Sequence, residues 1–223
     1  MVNFKTLPVG PNPPKVVYAV IEVPKGERNK YEFDPELCVF KLDRVLHSSV
    51  HYPTGYGFIP QTLAEDGDPL DVMVMTHGET FTGCVIEVRP VGMLKMRDDK
   101  GLDHKILSVP TTDPMYSNVR RLGDLPSHLP SEIEHFFSIY KELEGKHVES
   151  FGWYDYFTAE QTIIDSMKAY KDSLSKTGKA SKTTSKKTTK KVATGTKDIS
   201  DGDTKVSAPA EAKKAKAPKT AKS

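Results

Sequence analysis

Glu65-Asp66-Gly67-Asp68-Pro69-Leu70-Asp71-Val72 places three aspartates within six residues and opens an apolar run at 72–75. Gly67 and Pro69 favour a turn, and the apolar run after it reads as a strand. Carboxylates this close repel one another unless a cation compensates them. Oxygen donors of this hardness select Mg²⁺, Mn²⁺ or Ca²⁺ over zinc. A solvated acidic turn is the simpler alternative, and only the rest of the chain separates the two. An EF-hand loop does not fit: counted from Asp66, its glycine position holds Asp71 and its bidentate glutamate position holds His77.

Outward from this turn, short runs rich in Val, Ile, Phe or Tyr recur at 16–23, 37–42, 44–50, 56–59, 71–75, 84–96 and 105–109, mostly separated by Gly, Pro, Asp or Asn. Strands at that spacing suggest a sandwich or a closed barrel. After Pro130 the period changes. Ile133, Phe136, Phe137, Tyr140 and Leu143 recur at helical spacing, with Ser131 and Glu134 as a capping box and Gly145 as a left-handed stop. Thr158 with Gln161 opens a second helix whose Ile163, Ile164, Met167 and Tyr170 share a face. Strands followed by helices make an α+β, mainly β chain. Residues 1–14, with Pro8, Pro11, Pro13 and Pro14, read as an extended arm.

Residues 175–223 contain no aromatic residue and are built almost wholly of Lys, Thr, Ser, Ala, Gly, Pro and Asp, a composition expected to be disordered. Their 14 Lys against four acids give +10, so the formal +2 of the whole chain leaves −8 for residues 1–174. An acidic body carries a basic tail. Residues 15–174 are enough for one core. The longest apolar run, 16–21, falls far short of the ~20 residues that span a membrane. With no leader pattern at the start and with Cys38 and Cys84 unpaired by any motif, a cytoplasmic protein is expected.

A second acidic set, Asp98, Asp99 and Asp103, lies between two strand-like runs. Lys30, Arg44, Arg89, Lys105, Lys141 and Lys146 share the body with these acids, as do Tyr52 and Tyr56. Chemistry on a phosphoanhydride needs both kinds of charge, carboxylates for metals and cations for the transferred phosphoryl group. Glu22 stands in an apolar strand, where a charge is costly unless paired or metal-bound. Tyr140 lies on the apolar face of its helix, where core packing competes with ligand contact.

Asp66-Gly67-Asp68-Pro69-Leu70-Asp71-Val72 resembles the signature of the family I soluble inorganic pyrophosphatases. Further blocks that resemble the family follow its order: Ile21-Glu22-Val23-Pro24, Lys30-Tyr31-Glu32, Asp43-Arg44, Tyr52-Pro53 with Tyr56-Gly57, Arg89-Pro90-Val91-Gly92, Asp98 with Asp103 and Lys105, and His135-Phe136-Phe137 leading into Tyr140-Lys141. The resemblance implies a five-stranded OB-like closed β-barrel with flanking helices. It implies pyrophosphate as substrate, several Mg²⁺ per site with Mn²⁺ able to substitute, and water attacking directly with no phosphoenzyme. Carried onto this chain, Asp66, Asp71 and Asp103 would hold one metal, Asp71 would bridge to a second, and Asp98, Asp103 and Glu22 would serve those arriving with substrate. Asp68, helped by Tyr56, would accept a proton from the attacking water. Lys30, Arg44, Lys105, Tyr140 and Lys141 match phosphate-binding positions, and Glu32 a carboxylate lining the site. A homohexamer is favoured over a dimer.

Two other readings are weaker. A nucleic-acid-binding module is disfavoured by the acidic body, although the tail could bind nucleic acid weakly or act only as a solubilising extension. A nucleoside triphosphatase would want a G-x-x-x-x-G-K-[ST] loop, which the sequence lacks.

Overall fold

The computed structural model describes residues 4–184. After a 3₁₀ turn at Phe4–Thr6 come β1 (Val17–Val23), β2 (Asn29–Asp34), β3 (Val39–Val45), β4 (Gly55–Phe58), β5 (Asp71–Val74), β6 (Val85–Asp98), β7 (Gly101–Leu102) and β8 (Lys105–Pro110). Then follow α1 (His128–Ile139), β9 (Glu149–Asp155) and α2 (Tyr156–Thr184). The acidic turn does feed a strand, because Asp71 is the first residue of β5.

β1 pairs antiparallel with β4, β4 with β5, β8 with β6 and β6 with β1, while β5 and β8 run parallel. The pairings thus return to the strand from which they start. The 14 residues of β6 let one strand meet β1 at its beginning, β8 along its middle, and β9 and β7 towards its end. β2 and β3 form a separate two-stranded sheet.

Strands of the circuit are buried on both faces. Val72 and Val74 pack with Ile21, Met93, Ile106 and the α2 residues Ala159 and Ile163. Met73 and Met75, pointing the opposite way, pack with Leu94, Leu107 and the α1 residues Ile133, Phe136 and Phe137. This explains why 72–75 reads as a continuous apolar run rather than an alternating one. β1 and β4 approach so closely that a Cβ on Gly57 would lie 1.8 Å from the Val20 carbonyl oxygen.

The expected strands at 16–23, 56–59, 71–75, 84–96 and 105–109 match β1, β4, β5, β6 and β8 to within two residues at each end. The runs 37–42 and 44–50 merge into the single strand β3. β2 and β9 were not anticipated: Asn-Lys-Tyr-Glu-Phe-Asp is too charged to announce a strand, and it forms one by pairing with β3. The Ser131–Glu134 capping box does not form. α1 starts three residues earlier, with Pro130 in its first turn, where a missing N–H costs no helical bond. Glu134 instead accepts from the Ser150 hydroxyl. α2 likewise begins before Thr158, because the Asp155 carboxylate accepts from the Thr158 N–H and caps the helix. α2 also continues through 175–184, past the expected boundary at Leu174, since a helix already nucleated propagates at one bond per residue. The rest of the expected tail, 185–223, lies outside the described residues.

Candidate active site

The parallel register of β5 and β8 sets Asp71 directly beside Lys105. Lys105 Nζ donates to Asp71 Oδ2 at 2.6 Å, to Asp103 Oδ1 at 2.7 Å and to the Tyr56 hydroxyl at 3.2 Å. Tyr56, reaching over from β4, donates in turn to Asp71 Oδ2. The Lys105 ammonium also lies 5.3 Å from the Tyr56 ring centroid and 5.1 Å from that of Phe137. Lys105 has no exposed surface. Burial works against its charge, but Asp103 and Asp71 outweigh it and hold the amine well above the ordinary lysine value. Burial raises the Asp71 carboxyl, opposed by Lys105. Burial also works against ionising Asp103, yet its contact with Lys105 keeps it below the usual range. Two carboxylates against one ammonium leave this cluster with an excess of negative charge.

Glu22 of β1 faces the same space. Its Oε1 accepts the Phe33 backbone N–H at 2.8 Å, and burial pushes its carboxyl up to about 8. At the end of β6, Asp98 accepts from Lys141 Nζ at 2.8 Å and from the Lys100 N–H at 2.9 Å. Burial opposes its charge, but the Lys141 bond holds its carboxyl below the ordinary value. In the acidic turn, Asp66 Oδ1 accepts the Asp68 N–H at 3.1 Å. The Asp68 side chain points outward, 67 % exposed, with Lys100 Nζ 3.8 Å away. Partial burial, with Asp66 adding repulsion, raises its carboxyl.

These groups surround one cavity of about 510 Å³. Of the thirteen residues expected from the sequence, eleven line it: Glu22, Lys30, Glu32, Tyr56, Asp66, Asp68, Asp71, Asp98, Asp103, Tyr140 and Lys141. Lys105 lies beneath the carboxylates. Arg44 is outside the lining, with Nε 3.0 Å from Glu144 Oε1 and Nη1 2.6 Å from Asp43 Oδ2. Tyr140 is both core and wall: only 3 % exposed, packed on Phe136 and Phe137, it still borders the cavity. Arg89 and Lys146 do not join the site. The Arg89 guanidinium is spent on the Tyr116 and Val119 carbonyls, and Lys146 lies 3.4 Å from Glu144.

Some lining residues escaped the sequence reading. Lys100 had a local signal, two places from Asp98 in an acidic loop. Phe33 and the α2 residues Tyr170, Ser173 and Leu174 had none, because only packing brings them to the wall. Glu144, which holds Arg44, is 100 residues away from it in the chain.

Ammonium groups interleaved with carboxylates and phenols on a β-rich frame are the equipment of an enzyme that acts on phosphates. Among the described residues, no three His, Cys, Asp or Glu side chains converge as a ready metal cage, and several of the carboxylates are paired with lysines. The family model for inorganic pyrophosphatase matches residues 19–171. An inorganic pyrophosphatase of Haloferax volcanii is 50% identical over 174 residues, 77% of this chain and 98% of that protein. One of Methanosarcina acetivorans is 58% identical over 139 residues, 62% of this chain and 83% of the relative. The crystal structure of the inorganic pyrophosphatase from Thermus thermophilus superposes with a TM-score of 0.74 at 47% identity, covering 76% of this chain and 99% of that one. The chain belongs to the family I inorganic pyrophosphatases. It is therefore a hydrolase of the inorganic diphosphatase type, built on the mainly β fold of that family. Among the described residues, no helix is long and apolar enough to cross a membrane.

Proposed function

We propose that this chain hydrolyses pyrophosphate to two phosphates by direct attack of water in a site holding several divalent cations, Mg²⁺ foremost with Mn²⁺ able to substitute. The observation that carries the reading is the convergence of Asp66, Asp71, Asp98, Asp103 and Glu22 on a cavity that also holds Lys30, Lys141 and Tyr140. The donor set fits hard cations, because every candidate ligand is a carboxylate oxygen. The charge fits as well: Asp71 and Asp103 share one ammonium, and Glu22 is buried, accepting the Phe33 N–H, with Asp71 adding repulsion. Divalent cations held there would supply Lewis acidity, neutralising phosphoryl charge and making water more acidic.

The chain's own residues do the rest. Asp68, exposed at the cavity edge, is placed to take a proton from the attacking water. Tyr56 and Lys105 fix the orientation of the Asp71 carboxylate. Lys30, Lys141 and Tyr140 present donors to phosphate oxygens, Arg44 would join them by leaving Glu144, and Glu32 holds Lys30 in place.

The circuit of five paired strands is our counterpart of the OB-like closed barrel. We further assign the chain to the cytoplasm as a homo-oligomer, a hexamer in preference to a dimer, with a basic tail that binds nucleic acid weakly or serves solubility. Light scattering on the full chain tests the hexamer. The decisive experiment is phosphate release from pyrophosphate with and without Mg²⁺: metal-dependent release is expected, and release unaffected by chelation would overturn the multi-cation site.

A further inference from the structure

Three of the residues assigned to substrate, Lys30, Glu32 and Arg44, stand on β2 and β3, and those strands have no ladder to the main sheet. Backbone-to-backbone bonds to the segment after β3 lie at the foot of this hairpin, from the Gly26 N–H to the Tyr52 carbonyl and from the Tyr52 N–H to the Glu27 carbonyl. What seats its body is a small aromatic cluster distinct from the two large cores. Phe33 and Phe40 are cross-strand partners in the hairpin, and Val20 and Phe58 are cross-strand partners in the main sheet. The Phe33 and Phe58 rings stack at 6.2 Å.

The ring that closes the cluster comes from neither sheet. Phe4, in the 3₁₀ turn before β1, meets Phe33 edge-on at 5.0 Å and 88°, and Phe40 at 5.3 Å and 63°. It is nearly buried at 8 % exposure. Gly83 backs the cluster, where an added Cβ would lie 3.2 Å from the Phe40 ring and 3.9 Å from that of Phe4. From Phe33 the contact reaches the site in one step, because the Phe33 N–H donates to Glu22; Phe33 also borders the cavity, as does Phe4 at its rim.

We propose that Phe4 is a positioning residue: a latch, supplied by the segment before the first strand, that seats the β2–β3 hairpin and thereby sets Lys30, held by Glu32, and Arg44 at the distance at which the two cations grip substrate. The proposal rests on the pyrophosphatase reading of those three side chains. Removing the ring leaves Asp71 and Lys105 on their own strands, and Asp66 and Asp103 in the loops that lead into those strands, but lets the hairpin move as a unit. Misplacement of about 1 Å far from the chemistry is enough to weaken a binding geometry.

The test is steady-state pyrophosphate hydrolysis by the full chain with saturating Mg²⁺. Phe4→Ala should raise KM by about five- to tenfold and leave kcat within about twofold, while Phe4→Leu recovers most of the loss. Added to Lys30→Gln, which raises KM by itself, Phe4→Ala should raise KM by clearly less than it does in the wild type, because part of its effect runs through Lys30. Amide exchange should quicken at Phe33 and Phe40 and stay unchanged in β5 and β8. A folded Phe4→Ala with normal KM overturns the latch, as do independent multiplicative effects in the double variant. If Phe4→Ala does not fold, Phe4→Leu carries the same comparison: exchange raised equally in hairpin and main sheet would show a merely structural role. A wild type that fails to hydrolyse pyrophosphate, or a Lys30→Gln variant with normal KM, would instead sink the underlying site reading.

Discussion

Lys105 and Asp71 are register partners across the parallel β5–β8 pair, and their side chains meet at 2.6 Å with Asp103 on the far side of the ammonium at 2.7 Å. Replacing Lys105 by Met leaves two neighbouring carboxylates without their cation. Breaking a buried pair in this way costs about 3–5 kcal/mol. A divalent metal in the same site compensates the same charges, so the loss should be large in EDTA and much smaller in Mg²⁺. Denaturant titrations under the two conditions measure it, and equal losses would show that metal and lysine do not share these carboxylates.

Asp71→Asn is expected to reduce turnover by at least about 10³-fold while the chain remains folded, because an amide is a poor ligand and an even poorer bridge between two cations. The metal-free variant should also be no less stable than the wild type, since one of two repelling carboxylates is gone. Turnover near the wild-type value would remove Asp71 from the metal set.

Asp68→Asn should behave differently. Asp68 is exposed and makes no bond to Lys105, so Mg²⁺ affinity should change little while kcat falls by about 10²- to 10⁴-fold, the usual worth of a general base. Calorimetric metal binding alongside kinetics separates the two aspartates. A loss of metal affinity that accounts for the whole rate defect would make Asp68 a ligand instead.

Gly57→Ala tests the frame rather than the site. The new methyl would collide with the Val20 carbonyl and force β1 and β4 apart, at a cost of about 3 kcal/mol. Chemical denaturation should show the shift, and an unchanged midpoint would mean that the strands can separate without penalty.

A chain ending at Thr184 should hydrolyse pyrophosphate at the full rate, because all thirteen proposed site residues precede Lys146. Ending it at Leu174 is a poorer test, since Tyr170, Ser173 and Leu174 border the cavity and α2 runs ten residues further. If the basic tail tethers nucleic acid, only the full chain should retain duplex DNA at low salt and release it steeply as salt rises. Retention by both forms would place the contact in the body.

The sequence by itself determined the family and most of the frame. Asp66, Asp68 and Asp71 carry their message in six consecutive residues, and an apolar run buried on both faces can be recognised from composition alone. Local pattern also gave the period change from strands to helices. It misplaced the helix starts because a capping signal competes with its neighbours, and Asp155 prevailed over Thr158. β2 stayed hidden because its hydrogen bonds come from β3 rather than from its own charged residues.

Only the tertiary structure decided what each charge does. Lys30, Lys105, Lys141 and Arg89 are equivalent cations in the sequence, yet Lys105 is sealed beneath two carboxylates and Arg89 is spent on backbone carbonyls. Arg44 finds Glu144, and Phe4 closes on Phe33 and Phe40, across separations that no local pattern encodes. Residue type follows from the chain alone. The field around a charge and the wall behind a ring depend on which distant segments are packed against it, and that is fixed only when the strands pair.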